Sequence, residues 1–134
     1  GLVAPLFDQA RVCANQLAEH GVAKYKTLPS ATKLKVTGIN LFSVGDFNGD
    51  SNGNNSCEEL RFNDPELGVY KKLVLKNNRV IGAVLYGDTI DGAWYQQLIE
   101  QQTDISAARQ ALIFGKAYAE PLLASIKQQI RQAA

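Results

Sequence analysis

One loop of the chain carries oxygen-bearing side chains at spacings that could bind a calcium ion. Counted from Asn48, oxygen ligands fall at Asp50, Asn52 and Asn54, and Glu59 stands at the twelfth position. The calcium loop of an EF-hand also offers oxygens at alternate positions and a glutamate at position twelve. This loop departs from that pattern, because its first ligand is an amide and its flanks favour strands over helices. We favour a Gly/Asn-rich hairpin loop that needs no ion, with calcium binding as the alternative.

The first predicted helix begins without a side chain that could cap it. Its apolar spacing runs from Pro5 to His20, and no residue before Pro5 is Ser, Thr, Asp or Asn, the types that usually bind the first N–H groups. Proline has no N–H to leave unpaired at the first helical position, so we expect free donors at Leu6 and Phe7. Such an end can accept an anionic or electron-rich group, and water alone could also fill it.

The other chemistry-bearing residues form no recognisable catalytic set. His20 is the only histidine, and Cys13 and Cys57 lie far apart without metal-ligand spacing. We expect Cys13 to be buried on the apolar stripe of the first helix. Asp88 and Asp91 precede a predicted helix, where aspartate usually acts as a cap. No glycine-rich phosphate-binding pattern is present, so we expect neither catalysis nor nucleotide binding from this stretch alone.

The hydrophobic pattern divides the chain into three zones. Residues 1–21 have helical spacing, residues 25–87 contain short β-branched runs separated by turns, and residues 88–134 return to helical spacing. The prediction is an α+β fold, an antiparallel β-sheet meander with an N-terminal helix and two to three C-terminal helices packed on it. The predicted strands are 25–28, 34–37, 41–47, 58–62, 69–75 and 80–86, and the predicted C-terminal helices are 94–102, 106–114 and 121–132.

Length and charge limit the classes of function. The 134 residues suit a single domain, and 14 basic against 13 acidic residues give a net charge of +1. A nucleic-acid binder would show a basic patch, and a membrane span would need roughly 18 apolar residues in a row. We therefore expect a cytoplasmic protein that binds neither nucleic acid nor membrane. The absence of methionine and the glycine start suggest a piece excised from a longer chain.

Four stretches of the chain resemble a known flavoprotein family. They are residues 1–14 (GLVAPLFDQARVCA), 32–46 (TKLKVTGINLFSVGD), 70–75 (YKKLVL) and 81–89 (IGAVLYGDT). They are similar to the segment that follows the FAD- and NAD(P)H-binding domains in the large subunit of NAD(P)H-dependent nitrite reductases and in assimilatory nitrate reductases. The same segment is the C-terminal domain of rubredoxin reductase-like flavoproteins. The resemblance runs in unbroken order over residues 1–115.

The resemblance implies a parent oxidoreductase that passes electrons from NAD(P)H through FAD to iron–sulfur and sirohaem or molybdenum centres. Its partners would be the FAD- and NAD(P)H-binding domains of the same polypeptide and an electron-transfer domain or subunit. By resemblance the first helix starts at the flavin edge, which implies cofactor-binding roles for Val3, Ala4, Pro5, Leu6 and Phe7. Ser30 and Thr32 are a second candidate group near the ring. The isolated chain is expected to bind no flavin and to be inactive.

Two alternatives to this flavoprotein role remain open. One is a calcium-binding module that uses the loop described above. The other is a protein–protein interaction module that uses the apolar stripe of the last helix.

Overall fold

The computed structural model describes residues 3–18, 24–25, 31–49 and 57–133. The chain divides into two compact units, Gly1–Ser30 and Ala31–Ala134. The first unit contains helix α1 (Val3–Leu17). Within the described ranges, the second unit contains a sheet followed by helical segments: β1 (Thr32–Val36), β2 (Ile39–Gly45), β3 (Glu58–Asp64), β4 (Val69–Lys76), β5 (Arg79–Tyr86), α2 (Gly92–Glu100), the 3₁₀ turns Ser106–Ala108 and Leu112–Phe114, and α3 (Lys116–Ala133).

Helix α1 starts earlier and ends earlier than the sequence predicts. It begins at Val3, so that Pro5 is its third residue rather than its first. The first N–H groups of an α-helix have no partner within the helix, and here these belong to Val3 and Ala4. The donors without an intrahelical partner therefore lie three residues before the predicted Leu6 and Phe7.

The surface of α1 also differs from the prediction at its cysteine. Cys13 is exposed, not buried. Leu6 and Leu17, which belong to the same predicted apolar stripe, are 57% and 80% exposed. The helix is thus amphipathic as predicted, but its apolar stripe is exposed to solvent.

The five strands form one antiparallel sheet, which confirms the predicted fold class. The order is β1-β2-β5-β4-β3, so β2 pairs with β5 and the sheet is not a strictly consecutive meander. The predicted hairpin after β4 is present, with Asn77 and Asn78 at φ 50° and 55°, the left-handed geometry that a two-residue turn requires. For the predicted strand 25–28, Tyr25 lies in no strand and the remaining residues lie outside the described ranges.

The helical layer departs from the prediction in its caps and its middle segment. Asp91 occupies the N-cap position of α2 without a side-chain hydrogen bond. The segment 106–114 forms two 3₁₀ turns instead of one α-helix, because its backbone N–H groups bond three residues back, as from Ala108 to Ile105. Just before this segment, the Asp104 Oδ1 accepts a 2.8 Å hydrogen bond from the Ser106 N–H. α3 begins at Lys116, directly after the segment ends, and continues through Pro121.

The core lies between one face of the sheet and the helical layer. Its fully buried members include Leu73 and Leu85 from the sheet and Tyr95 and Leu112 from the layer above. The Tyr95 hydroxyl donates a 2.8 Å hydrogen bond to the Leu112 carbonyl. Burial, together with the nearby Asp91 and Asp88 charges, raises the pKa of Tyr95. No helix within the described residues is both long enough and apolar enough to cross a membrane.

Candidate functional site

The predicted site residues fall into separate parts of the structure. Val3 to Phe7 form the first turns of α1, and Thr32 is the first residue of β1. Ser30 lies outside the described residues, as do three of the candidate calcium ligands, Asp50, Asn52 and Asn54.

The start of α1 combines backbone donors that have no partner within the helix with exposed apolar side chains. Val3 and Ala4 supply the donors, while Leu6 and Phe7 in the next positions are 57% and 73% exposed. An apolar stripe on an amphipathic helix normally packs against another part of a protein. The arrangement suits a helix whose N-terminus faces an electron-rich group and whose side chains contact a second surface.

Glu59 is the only carboxylate among the candidate calcium ligands that lie within the described residues, and cations already bind it. Lys72 Nζ lies 2.7 Å from its Oε1, and Arg61 Nε donates a 2.9 Å hydrogen bond to its Oε2. The hydrogen bond from Lys72, followed by that from Arg61, lowers the pKa of Glu59. In the described ranges no three His, Cys, Asp or Glu side chains gather as a metal site would require.

The sheet has a second face, opposite α2 and α3, which we call the open face, although Val74 on this face is fully buried. Side chains alternate between the two faces of a strand, so the neighbours of the core residues Phe42, Leu73 and Leu85 point to the open face. Cross-strand pairing aligns two rows there. The apolar row contains Leu34, Leu41, Tyr86 and Tyr70, and the polar row contains Thr32, Ser43, Val84, Lys72 and Arg61.

The open face has the composition of a packing surface. In the apolar row Leu34 and Tyr86 are 47% and 40% exposed, more than an ordinary β-strand core position allows. In the polar row Thr32, a predicted site residue, shares a face with the cationic pair Lys72 and Arg61. Aromatic and apolar side chains bordered by paired charges are typical of protein interfaces.

Sequence reasoning missed an ion pair at one end of the sheet. Lys71 is only 7% exposed, and its Nζ lies 2.8 Å from Asp88 Oδ2. The hydrogen bond from Lys71 lowers the pKa of Asp88; burial partly opposes this effect, and the backbone N–H of Ile90 lowers the pKa further. The alternation of side chains along β4 could have predicted that Lys71 faces the core, because it is two residues from the core residue Leu73 and so points to the same side of the sheet.

A groove of about 210 Å³ lies between α2 and α3. This is below the roughly 300 Å³ at which sites for cofactor-sized molecules begin. We therefore do not assign it a flavin or a nicotinamide. Its lining residues are Trp94, Gln97, Leu98, Gln101, Thr103, Glu120, Leu123 and Ala124.

Taken together, the described residues offer exposed surfaces on which another domain or chain could pack. The one deeply buried tyrosine, Tyr95, has a raised pKa and bonds a backbone carbonyl, so it is not placed to exchange protons with a substrate. The ion pairs of Glu59 and Asp88 are also intramolecular. The chemistry that the geometry supports is the packing of this chain against another surface.

Comparison with known proteins places these features in a wider context. The model of the rubredoxin NAD+ reductase C-terminal domain matches residues 29–103. The nitrite reductase [NAD(P)H] of Bacillus subtilis is 39% identical over 106 residues, which is 79% of this chain and 13% of the relative. The assimilatory nitrate reductase electron transfer subunit of the same organism is 30% identical over 84% of this chain and 14% of the relative.

One solved structure has a similar fold. The NADH:rubredoxin oxidoreductase from Clostridium acetobutylicum superposes with a TM-score of 0.53 at 23% identity, over 73% of this chain and 24% of that one. At this identity the likeness concerns the fold alone. The matched segment is thus a small part of each of these larger proteins.

Proposed function

Because this chain belongs to the family of rubredoxin NAD+ reductase C-terminal domains, we propose that it acts as the flavin-adjacent interface domain of a larger, cytoplasmic NAD(P)H-dependent reductase. In this role it covers FAD and contacts the FAD- and NAD(P)H-binding domains of the same polypeptide. The parent enzyme transfers electrons from NAD(P)H through FAD toward nitrite or nitrate in nitrogen assimilation. Iron–sulfur and sirohaem or molybdenum centres belong to other parts of that system. The similarity to the nitrite and nitrate reductase components supports this assignment.

The first turn of α1 fits a flavin by the chemistry of its donors. The N–H groups of Val3 and Ala4 and the positive end of the helix dipole suit the C2 carbonyl and N1 of the isoalloxazine, where reduced flavin carries negative charge. Pro5 fits the same first turn, because it removes only an N–H that has no intrahelical partner. When bound, the flavin supplies the redox chemistry, and these residues orient it and stabilise its charge.

The observation that carries the proposal is the exposed apolar side of α1. Phe7 and Leu17 are 73% and 80% exposed. Exposure of large apolar side chains to water along one side of a helix is unfavourable. Contact with the FAD-binding domain would remove this surface from solvent. The apolar row of the open face, with Leu34 and Tyr86, offers the second unit a surface of the same kind.

A chimera tests the helix role. We would replace the matching segment of the Bacillus subtilis nitrite reductase by this chain and measure FAD content and flavin midpoint potential. Ala4→Pro removes one donor but suits a first helical turn, so we expect a more negative potential with the helix preserved. Ala4→Gly keeps the N–H and serves as the matched control. An unchanged potential and FAD content in Ala4→Pro would contradict the role of this amide.

The isolated chain provides a second test. We expect it to purify without flavin and to oxidise no NADH, since the dinucleotide-binding residues lie in other domains. A yellow, NADH-oxidising preparation of the 134-residue chain would refute the proposal.

A protein–protein interaction module remains the second candidate function. It is favoured by α3, on which Tyr118 and Leu122 are 66% and 42% exposed. Truncation before Pro121 would then abolish association with a partner while the sheet stays folded. Unchanged association after this truncation would exclude the part of α3 from Pro121 onward as the binding element.

A further inference from the structure

The two edge strands of the sheet differ in what they offer to another strand. Within the described residues, β1 and β3 each pair on one side only, and an unpaired strand edge is a template for pairing with another chain. β1 carries Lys33 and Lys35. Edge lysines oppose such pairing, because two copies of this strand would bring like charges together. β3 carries no lysine, and its charges are of both signs, with Glu59 and Arg61 on either side of Leu60.

The charges of β3 are complementary to those of the same strand in reverse. In an antiparallel pair with Leu60 opposite Leu60 of a second copy, Glu59 lies opposite Arg61 of that copy, and the reciprocal contact forms on the other side of the axis. Opposite charges in such positions stabilise strand pairing. The neighbouring register, with Arg61 opposite Arg61, is unfavourable. The Arg61 side chain is 63% exposed, so it can reach a facing carboxylate while it remains bonded to Glu59.

Exposed aromatic rings border the same edge. Phe62 makes an edge-to-face contact with Phe114 at 6.3 Å, and Phe114 makes another with Tyr118 at 6.2 Å. Phe114 and Tyr118 are 55% and 66% exposed. In the register centred on Leu60, Phe62 lies opposite Glu58 of the second copy.

The position of Glu58 opposite Phe62 of the second copy would bring a cation close to the exposed rings. Within each chain Glu58 forms an ion pair with Arg109. In the pair of chains, the Arg109 guanidinium of one copy would therefore approach Phe62 and Phe114 of the other. A guanidinium over an aromatic face is attractive, and the contact would cover apolar surface that is exposed in the single chain.

We propose that β3 is a self-association edge through which two copies of this chain form one continuous ten-stranded antiparallel sheet across a two-fold axis at Leu60. A seven-residue edge with its aromatic border is smaller than the roughly 1,600 Å² of a standard stable interface. The association is therefore reversible and depends on concentration.

Charge reversal tests the register directly. Sedimentation of the 134-residue chain up to roughly millimolar concentration is expected to give a mass approaching twice 14.6 kDa. Arg61→Glu and Glu59→Arg each place like charges opposite each other, so each should weaken self-association roughly tenfold or more. A mixture of the two variants restores both opposite-charge contacts and should form a heterodimer. Lys33→Glu, on the other edge, is the control and should leave β3 association unchanged.

A disulfide crosslink provides a second test, which does not depend on these charges. In the proposed register Cys57 lies opposite Asn63 of the second copy, on the same face of the sheet. In a Cys13→Ser background, Asn63→Cys should give an intermolecular disulfide on mild oxidation, whereas Lys35→Cys should not link to Cys57. Three results would each overturn the proposal. The first is a wild-type chain that stays monomeric throughout the concentration series, and the second is a mixture that forms no heterodimer although both variants fold. The third is crosslinking of Asn63→Cys that is no faster than that of Lys35→Cys.

Discussion

The ion pair of Lys71 and Asp88 gives a prediction whose size follows from its surroundings. Asp88→Asn removes the negative charge but keeps an oxygen that can accept the Ile90 N–H, to which Asp88 Oδ1 bonds at 3.2 Å. The side chain of Lys71 is 8% exposed and that of Asp88 41%, so the ammonium loses its counter-charge in a largely dry position. A charge-assisted hydrogen bond is worth about 1.5–3 kcal/mol, and partial exposure of Asp88 reduces this to about 1–2 kcal/mol.

Urea unfolding followed by Trp94 fluorescence measures this loss. Trp94 is the only tryptophan of the sequence and is 9% exposed in the core of the second unit. With a slope of about 2 kcal/mol per molar urea, the midpoint of Asp88→Asn should fall by roughly 0.5–1 M. Glu120→Gln is the matched control, because its exposed pair with Lys116 at 3.6 Å contributes little.

The contribution of Asp88 to the free energy of unfolding depends on pH in a predictable direction. Because the folded-state pKa of Asp88 is lowered, its contribution is present above the unfolded carboxyl pKa of about 3.9 and is lost as the pH falls through the folded value. The difference between wild type and Asp88→Asn should therefore be full at pH 7 and disappear in strong acid. No difference at pH 7, or an equal difference at pH 7 and below pH 2, would refute the electrostatic explanation.

Three further predictions concern a glycine in the β2–β5 pairing, the buried tyrosine of the core and the predicted calcium loop. Gly45→Ala should destabilise the chain more than Gly38→Ala in urea unfolding: both have positive φ, but a Cβ at Gly45 would lie 2.2 Å from a β5 carbonyl oxygen, whereas at Gly38 it meets nothing within 4 Å. Equal losses would show that backbone strain alone matters. Tyr95→Phe removes one of two hydrogen bonds to the Leu112 carbonyl, which keeps the Gly115 N–H, and should cost about 1 kcal/mol, whereas Tyr118→Phe, at an exposed ring, should not change the midpoint. Millimolar calcium should leave the melting temperature unchanged, and a clear rise would revive the calcium loop.

The sheet was largely predictable because its signals are local. Short β-branched runs separated by turn residues located all five observed strands, and the Asn77-Asn78 turn predicted the β4–β5 hairpin. The pairing of β2 with β5 was not predictable in this way, since it joins segments far apart in sequence. A glycine is required beside the β2–β5 pairing, because a Cβ at Gly82 would overlap the Asp46 carbonyl.

The helical layer and the site were harder to predict, because tertiary contacts determine them. Asp88 was expected to cap a helix, but a buried lysine on a neighbouring strand binds it. The segment 106–114 has helical spacing, yet a backbone bond from Ile105 to Asn78 and the contact of Tyr95 with Leu112 hold it as two short turns. The exposure of Phe7 and of the open face depends on which surfaces meet, which a local pattern does not contain.

The order of the strands has a kinetic consequence. β4 and β5 pair through a two-residue turn, and β3 joins them through another short turn, so these contacts close small loops. Pairing of Leu41 with Tyr86 closes a far longer one, and longer loops lose more chain entropy before they gain any contact. We therefore expect the three-stranded half to assemble first and the β1–β2 hairpin to dock last.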